Sequence, residues 1–412
     1  MEKSSFNVLK SSIFSMLAAM VLLLIITISI FTNLSLYSID FKTRDYAIAN
    51  ITQKPIRFDS SPKLLLAVRE EIKDSYASDP DPILAPIGVT PYERITWFRK
   101  HLAEFKIIRS DELSRKFSFR AREFFDGRCD IRFFMTWISL SKAFRHREFL
   151  ALESIFKVHP FGCVMILSRS MDSGHGRQVL KPLTDMGYRI AAVSPDLLSL
   201  FEDTPAETWF RNLKKGNVDP GEIPLAQNLS NLLRLAVLYK YGGVYLDTDV
   251  IVLKKLSDLR NTIGAQSVDE DGNWSRLNNA VLIFDKEHPL ILKFIKEFSC
   301  SFDGNRWGHN GPYMVSRVVE GLVNKPHYNF TVLPPMAFYP VGWIKIGRFF
   351  QSPENPAMEK WVAAKLRQLS GETYVVHLWN RQSKSMKIEQ GSILERLVSN
   401  HSLFFQDAYS VQ

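Results

Sequence analysis

From Ile131 onward the chain alternates short apolar runs with segments of helical spacing, and this alternation constrains the fold more than any other feature of the sequence. Ile131–Trp137, Cys163–Leu167 and Tyr188–Val193 read as strands, separated by His146–Lys157 and Gln178–Met186, whose apolar residues keep to one helical face. Parallel strands need such helical crossovers, so the expected class is α/β: one mixed, mostly parallel sheet flanked by helices. A further helix, Leu225–Tyr239, puts Leu229, Leu232, Leu233, Ala236 and Val237 on one face and stops at Gly242 and Gly243; Val244–Leu246 then forms a short buried strand. Ser173–Arg177 carries spaced glycines but no GxGxxG fingerprint, and reads as a loop after the second strand. With 412 residues, 46% of them hydrophobic, the chain has material for one large core plus attachments and is neither disordered nor a disulfide-knotted miniprotein.

The amino-terminal part sets the compartment. No charged residue occurs from Ser11 to Ile39, and Ile13–Phe31 is apolar apart from Ser15, Thr27 and Ser29. About 20 such residues span a bilayer core as a helix, whereas a cleavable signal has a shorter apolar region and a small-x-small site that is not evident here. The expected organisation is a cytosolic tail over 1–11, a transmembrane signal anchor over 12–36, a stem and basic segment over 37–127 and a catalytic domain over 128–406. Lys3 and Lys10 precede the anchor, while Asp40, Lys42, Arg44 and Asp45 cancel behind it, which places the bulk of the chain in the lumen. A luminal chain can carry glycans on Asn33, Asn50, Asn228, Asn273, Asn329 and Asn400, each of which opens an Asn-x-Ser/Thr sequon. Cys129 precedes the first strand and Cys163 opens the second, so parallel pairing brings them to one sheet edge as a disulfide and leaves Cys300 free.

The net charge of +9 is local: Arg94–Arg147 holds 14 Lys and Arg against 6 Asp and Glu, and the rest of the chain is close to neutral. Aromatic residues such as Trp97, Phe98, Phe117, Phe119, Phe124 and Phe125 interleave with these charges. Luminal placement opposes a nucleic-acid partner. What remains is recruitment of an acidic glycan or membrane surface, or a solvated helical face of the stem.

The chemistry concentrates in Tyr241-Gly-Gly-Val-Tyr-Leu-Asp-Thr-Asp-Val-Ile-Val-Leu253, where an apolar strand runs into two carboxylates. On an extended backbone Asp247 and Asp249 point the same way, so both can reach one hard cation and leave positions open for phosphate oxygens. Such a cation neutralises a leaving diphosphate. A bare Asp-x-Asp is commonly only a solvated strand end; here it follows a Gly-Gly hinge at the carboxyl end of a sheet, where α/β proteins bind ligands.

These residues resemble those of the eukaryotic α1,4-galactosyltransferases of the globotriaosylceramide synthase type, within glycosyltransferase family 32. The resemblance runs from about Asp130 to Gln406 in ordered blocks: Leu225–Leu256, Leu277–Phe284, Trp307-Gly-His-Asn-Gly-Pro312, Leu333-Pro-Pro-Met-Ala-Phe-Tyr-Pro340 and Val376-His-Leu-Trp-Asn380. It implies a type II Golgi enzyme with a single GT-A nucleotide-sugar-binding domain, a nucleotide-sugar donor, Mn²⁺ or another divalent cation, and retention of anomeric configuration. Carried over by position, Asp247 faces the nucleotide ribose and the metal, Asp249 binds the metal on the diphosphate side, and His377 is a third ligand at a strand end. Arg234 would lie near the donor sugar and phosphates, with Tyr245 in the same site; alone, Arg234 reads as a surface helix arginine and His377 as structural. Asn231 stands where many members have Asp, which keeps hydrogen-bond capacity but loses an anion and leaves the donor sugar open. Asn278 and Asn279, expected before a strand Ala280–Phe284, can offer amides to donor hydroxyls, and the resemblance places the turn His309-Asn310-Gly311 near the acceptor. Trp343, Phe349, Phe350, Trp361 and Trp379 read as core rather than sugar-stacking residues.

The function expected from the sequence is transfer of a hexose, galactose from its uridine diphosphate donor, onto a glycan or glycolipid acceptor. A mannosyl- or glucosyltransferase of the same fold, or a catalytically silent membrane-anchored lectin, are the rivals.

Overall fold

The computed structural model describes residues 83–127, 129–322 and 328–404. The anchor, the sequons at Asn33 and Asn50 and most of the expected stem lie outside the described residues. Among those described, no helix is long and apolar enough to cross a membrane.

A seven-stranded sheet organises the domain. Its strands are β1 (Arg132–Thr136), β2 (Cys163–Leu167), β3 (Arg189–Val193), β4 (Gly243–Leu246), β6 (Thr262–Val268), β7 (Trp274–Phe284) and β8 (Thr331–Leu333), while β5 (Val250–Val252) and β9 (Val375–His377) form a separate pair. The order β3-β2-β1-β4-β7-β6-β8 is parallel from β3 to β4 and again between β6 and β8, with β7 antiparallel to both neighbours. The chain winds outward from β1 to β3 and returns to the other side of β1 as β4. A switch of direction of this kind opens a crevice at the strands' carboxyl ends.

Helices cover both faces, so the strands read as nearly continuous apolar runs. The side-chain period of two sends Phe134, Met165 and Tyr245 into one core and Phe133, Met135, Val164, Ile166, Val244 and Leu246 into the other. The helices used below are α1 (Pro91–His101), α2 (Phe117–Phe125), α3 (His146–Val158), α4 (Gly174–Asp185), α5 (Leu225–Tyr241), α6 (Pro289–Ser301) and α7 (Pro312–Glu320). Helix α5 ends where expected, at Gly242 and Gly243, with φ of 61° and 127°. A Cβ on Gly243 would lie 2.5 Å from the Arg132 carbonyl oxygen, so only glycine lets β4 enter beside β1. Cys129 and Cys163 form the expected disulfide, Cα atoms 5.5 Å apart, and Cys300 is free and exposed.

Four expectations need correction. Ser173–Arg177 is not a loop: Ser173 caps α4, its hydroxyl accepting from Gly176 N–H at 3.1 Å, and residues 174–177 are the helix's first turn. The glycine is there because a Cβ on Gly176 would sit 2.0 Å from the Met171 carbonyl oxygen. Residues 91–125 are not stem. Phe117, Ala121 and Phe125 recur every fourth position on α2 and sink into the main core with Phe98, Phe105 and Ile108; the high charge of the segment concealed that stripe. Asn278 and Asn279 lie inside β7, whose eleven residues extend well before Ala280. Finally, the Asn228 sequon is buried within α5, its side-chain oxygen accepting from the Asn310 amide at 2.9 Å, whereas Asn329 and Asn400 are exposed.

Candidate metal-binding cleft

Strand β4 delivers Asp247 to the sheet's carboxyl edge, and Asp247 N–H donates to the Ala280 carbonyl at 2.9 Å, continuing the β4–β7 pairing by one residue. Two residues on, Asp249 precedes β5. That strand pairs antiparallel with β9 and sets Val250 opposite His377. The pairing of two three-residue strands is therefore what brings His377 to the acidic pair across a long sequence separation. Ligand atoms of Asp247, Asp249 and His377 all lie within 4.8 Å of one another, with His377 Nε2 3.4 Å from Asp249 Oδ1.

Each carboxylate is held from behind. Tyr245, fully buried, donates its hydroxyl to Asp247 Oδ1 at 2.8 Å and shares a 2.8 Å hydrogen bond with Thr136. Arg234, buried on α5, stands 3.1 Å from Asp247, donates to the Asn279 carbonyl at 2.8 Å and stacks its guanidinium 4.5 Å from the Tyr245 ring centre. Asp249 accepts from the Asn380 backbone N–H at 2.8 Å, and its own carbonyl accepts from Leu378 N–H at 2.8 Å. That geometry depends on Trp379, whose φ of 54° lies in the left-handed region, a costly conformation for a bulky residue that turns Asn380 toward the site. Its indole N–H is fixed on the Val341 carbonyl at 2.8 Å.

Electrostatically the site is short of positive charge. Burial pushes the Asp247 carboxyl above the ordinary carboxylate range, with Asp249 adding to the rise and Arg234 opposing it. Glu148 on α3 is raised too, by burial first and by Asp249 in addition. It accepts from the Asn380 side-chain amide at 3.4 Å. Asn380 Oδ1 is buried without a hydrogen-bond partner among the described residues. Two carboxylates and an imidazole, converging within 4.8 Å, make a donor set that fits a divalent cation of the Mg²⁺ or Mn²⁺ kind.

The carboxylates open into a cleft of about 1080 Å³ along the carboxyl ends of β1, β2 and β3, walled by Thr136, Trp137, Ser168, Arg169, Gln227 and Ser230 among others. The other expected site residues divide. Asn231 and Asn279 meet, the Asn279 amide donating to Asn231 Oδ1 at 2.9 Å, and Gly311 backs them: a Cβ there would come within 2.7 Å of that oxygen. Tyr245 has no exposed surface and orients Asp247 rather than facing the cleft. The Asn278 side chain is used internally, between Gln266 and the Ala280 N–H. His309 holds the Ser301 carbonyl, and the Asn310 amide bridges Asp303 and Asn228, so those two residues shape the α6–α7 turn. Asn380 and Tyr339, whose ring packs 5.8 Å from that of His377, stand in the blocks of resemblance without an assigned role, and Thr136, Ser230 and Glu148 carry no sequence signal. Only the spatial neighbourhood of Asp247 and Asp249 singles these out. Phe349 and Phe350 are core as expected, whereas Trp343 and Trp361 are exposed.

Fold and site together define an α/β protein with an acidic cleft, and a candidate cation site in it, at the switch point of its sheet. Residues 145–269 match the glycosyltransferase sugar-binding region containing DXD motif, and residues 283–407 match the alpha 1,4-glycosyltransferase conserved region. Lactosylceramide 4-alpha-galactosyltransferase of Pongo pygmaeus is 35% identical over 206 residues, 48% of this chain and 85% of that protein. The Mus musculus protein of the same name is 33% identical over 258 residues, 59% of this chain and 65% of its own length. Alpha-1,4-N-acetylglucosaminyltransferase of Homo sapiens is 26% identical, covering 50% of this chain and 58% of that protein. The chain belongs to the alpha 1,4-glycosyltransferase family.

Proposed function

We propose that the chain is a metal-dependent, retaining glycosyltransferase that moves galactose from UDP-galactose, in α1,4 linkage, onto a glycan or glycolipid acceptor. In this proposal it is a single-pass type II Golgi protein whose GT-A domain lies in the lumen. The observation that carries the reading is the convergence of Asp247, Asp249 and His377 at a large cleft in a chain of this family. Galactose is favoured because the relatives above 30% identity with a named activity are galactosyltransferases, whereas the N-acetylglucosaminyl relative stands at 26%. The Cys129–Cys163 disulfide supports an oxidising compartment.

Asp247, Asp249 and His377 would hold the cation, Mn²⁺ here. When bound, it supplies neutralisation of the charge that builds on the leaving diphosphate. The protein's own part is preorganisation: Tyr245, Arg234 and the Asn380 N–H fix both carboxylates before substrate arrives, so no reorganisation is needed in the transition state. Arg234 also opposes the rise that burial imposes on the Asp247 carboxyl. The paired amides of Asn231 and Asn279 lie on the Arg234 side of the site, where they would meet donor hydroxyls.

The test is nucleotide release by the purified full chain from UDP-galactose, UDP-glucose, UDP-N-acetylglucosamine and GDP-mannose, with Mn²⁺ and after chelation. The expected outcome is fastest release from UDP-galactose, lost on chelation. Metal-independent release, or preference for GDP-mannose, would contradict the assignment.

A further inference from the structure

Residues 83–144 precede both matched regions, yet part of this stretch walls the cleft. Ile83, Glu104, Phe105, Lys106 and Ile107 line it together with residues that follow β2 and β3. Phe105 and Ile108 anchor this wall, both buried beside Phe98. Arg169, just beyond the carboxyl end of β2, fastens it: one guanidinium nitrogen donates to the Lys106 carbonyl at 2.9 Å and to the Arg109 carbonyl at 2.6 Å, and the other pairs with the Asp111 carboxylate. A single side chain of the sheet edge thus holds the wall at three points.

The placement indicates what the wall touches. Sheet order puts β4, with Asp247 beyond it, two strand spacings from β2, whose end carries Arg169, about 10 Å at the usual interstrand distance. A diphosphate held at Asp247 and Asp249 therefore leaves the far end of the cleft to whatever the diphosphate carries. That end offers the Glu104 carboxylate, the Lys106 ammonium and the apolar Ile83 and Ile107, while the Arg169 guanidinium beside them is engaged by Asp111 and two backbone carbonyls. Among the described residues its two cations are balanced by Glu104 and Asp111, and this mixed surface suits a flat, neutral, polar group.

We propose that residues 104–111 form the nucleoside wall of the donor pocket, that Lys106 and Ile107 contact the base or ribose, and that Arg169 is the positioning residue that latches the wall to the sheet. This rests on the donor-site reading above. It makes the segment ahead of the matched regions a determinant of nucleotide choice.

The experiment measures binding of UDP, GDP and inorganic diphosphate, each with Mn²⁺, by calorimetry on the full chain and on the Lys106→Ala, Ile107→Ala, Arg169→Lys and Arg169→Ala variants. UDP affinity should fall roughly tenfold in Arg169→Ala and severalfold in Lys106→Ala and Ile107→Ala, the range of a lost contact in a desolvated pocket. Diphosphate affinity should stay unchanged, and the UDP-to-GDP ratio should shrink. General unfolding would lower both affinities together. Arg169→Lys, which keeps the charge but not the forked geometry, provides a milder test should the alanine variant fold poorly. Wild-type UDP affinity in the variants, or parallel loss of UDP and diphosphate in folded protein, would overturn the wall. A wild-type chain that binds neither UDP nor diphosphate would overturn the donor-site reading itself.

Discussion

Two regions of this molecule are rich in charge, and they use it in opposite ways. In the basic segment around α1 and α2, arginines are consumed internally: Arg94 is buried against Asp219 and Glu222 at 2.8 and 3.2 Å, and Arg120 pairs with Asp172 at 2.6 Å. At the carboxyl edge of β4, Asp247 and Asp249 share one arginine and one imidazole, and both open into the cleft. Charge density along the sequence therefore says little about function. What separates cement from chemistry is whether the fold supplies each charge with a partner.

The largest effect should come from unbalancing the acidic side. Asp249→Asn keeps size and shape but removes the anion, and should lower turnover by about 10²-fold or more while leaving thermal unfolding near wild type. Circular dichroism melting alongside the rate assay separates the two. On the basic side the outcome should invert. Arg94→Ala should destabilise by about 2 to 3 kcal/mol, less than a fully buried pair because Asp219 and Glu222 reach solvent, with activity per folded molecule unchanged. Denaturant unfolding checks the first, and active-site-normalised rates the second. Equal loss of activity in both variants would erase the distinction between the two regions.

Much of the sheet is legible because buried parallel strands write themselves as apolar runs: β2 coincides residue for residue with the apolar run Cys163–Leu167, and Gly242 and Gly243 mark the end of α5. The acidic pair could be read as well, since its two-residue spacing survives in any extended backbone. Other features were not local. His377 reaches Asp249 only through β5–β9 pairing, and Glu148 and Thr136 join the site from helix and strand termini far away in sequence. The α2 stripe of Phe117, Ala121 and Phe125 was available at helical spacing, but five basic residues among its near neighbours drew the reading toward a solvated stem.

A smaller effect sharpens the comparison through a third kind of group, a buried base with no charge at all. Burial lowers His159 from its ordinary value to about 4, and its Nε2 accepts from the Leu256 N–H at 3.1 Å. The unfolded chain binds this proton more readily than the folded one, so stability is complete above the ordinary histidine value and falls as pH drops toward the folded value. Between pH 7 and pH 5 the loss should be about 1 to 2 kcal/mol, absent from His159→Gln. Urea unfolding at the two pH values reads the difference directly; identical slopes in wild type and variant would remove His159 from the account. The smallest effect is expected where basic residues have no buried role: neutralising exposed Arg115, Lys116 and Arg122 together should change stability by less than about 0.5 kcal/mol. A strong salt-dependent fall in transfer to a liposome-borne acceptor in this variant would instead assign the segment a recruiting function.

The central claim is that Asp247, Asp249 and His377 hold one divalent cation. Electron paramagnetic resonance of Mn²⁺ titrated into the full chain in the presence of UDP tests it most directly, because free Mn²⁺ gives the sharp signal and bound Mn²⁺ does not. One tight equivalent is predicted for the wild type, with affinity reduced at least tenfold in Asp247→Asn, Asp249→Asn and His377→Ala, the cost of a lost ligand or its oriented partner. Wild-type Mn²⁺ affinity in all three folded variants would contradict the account.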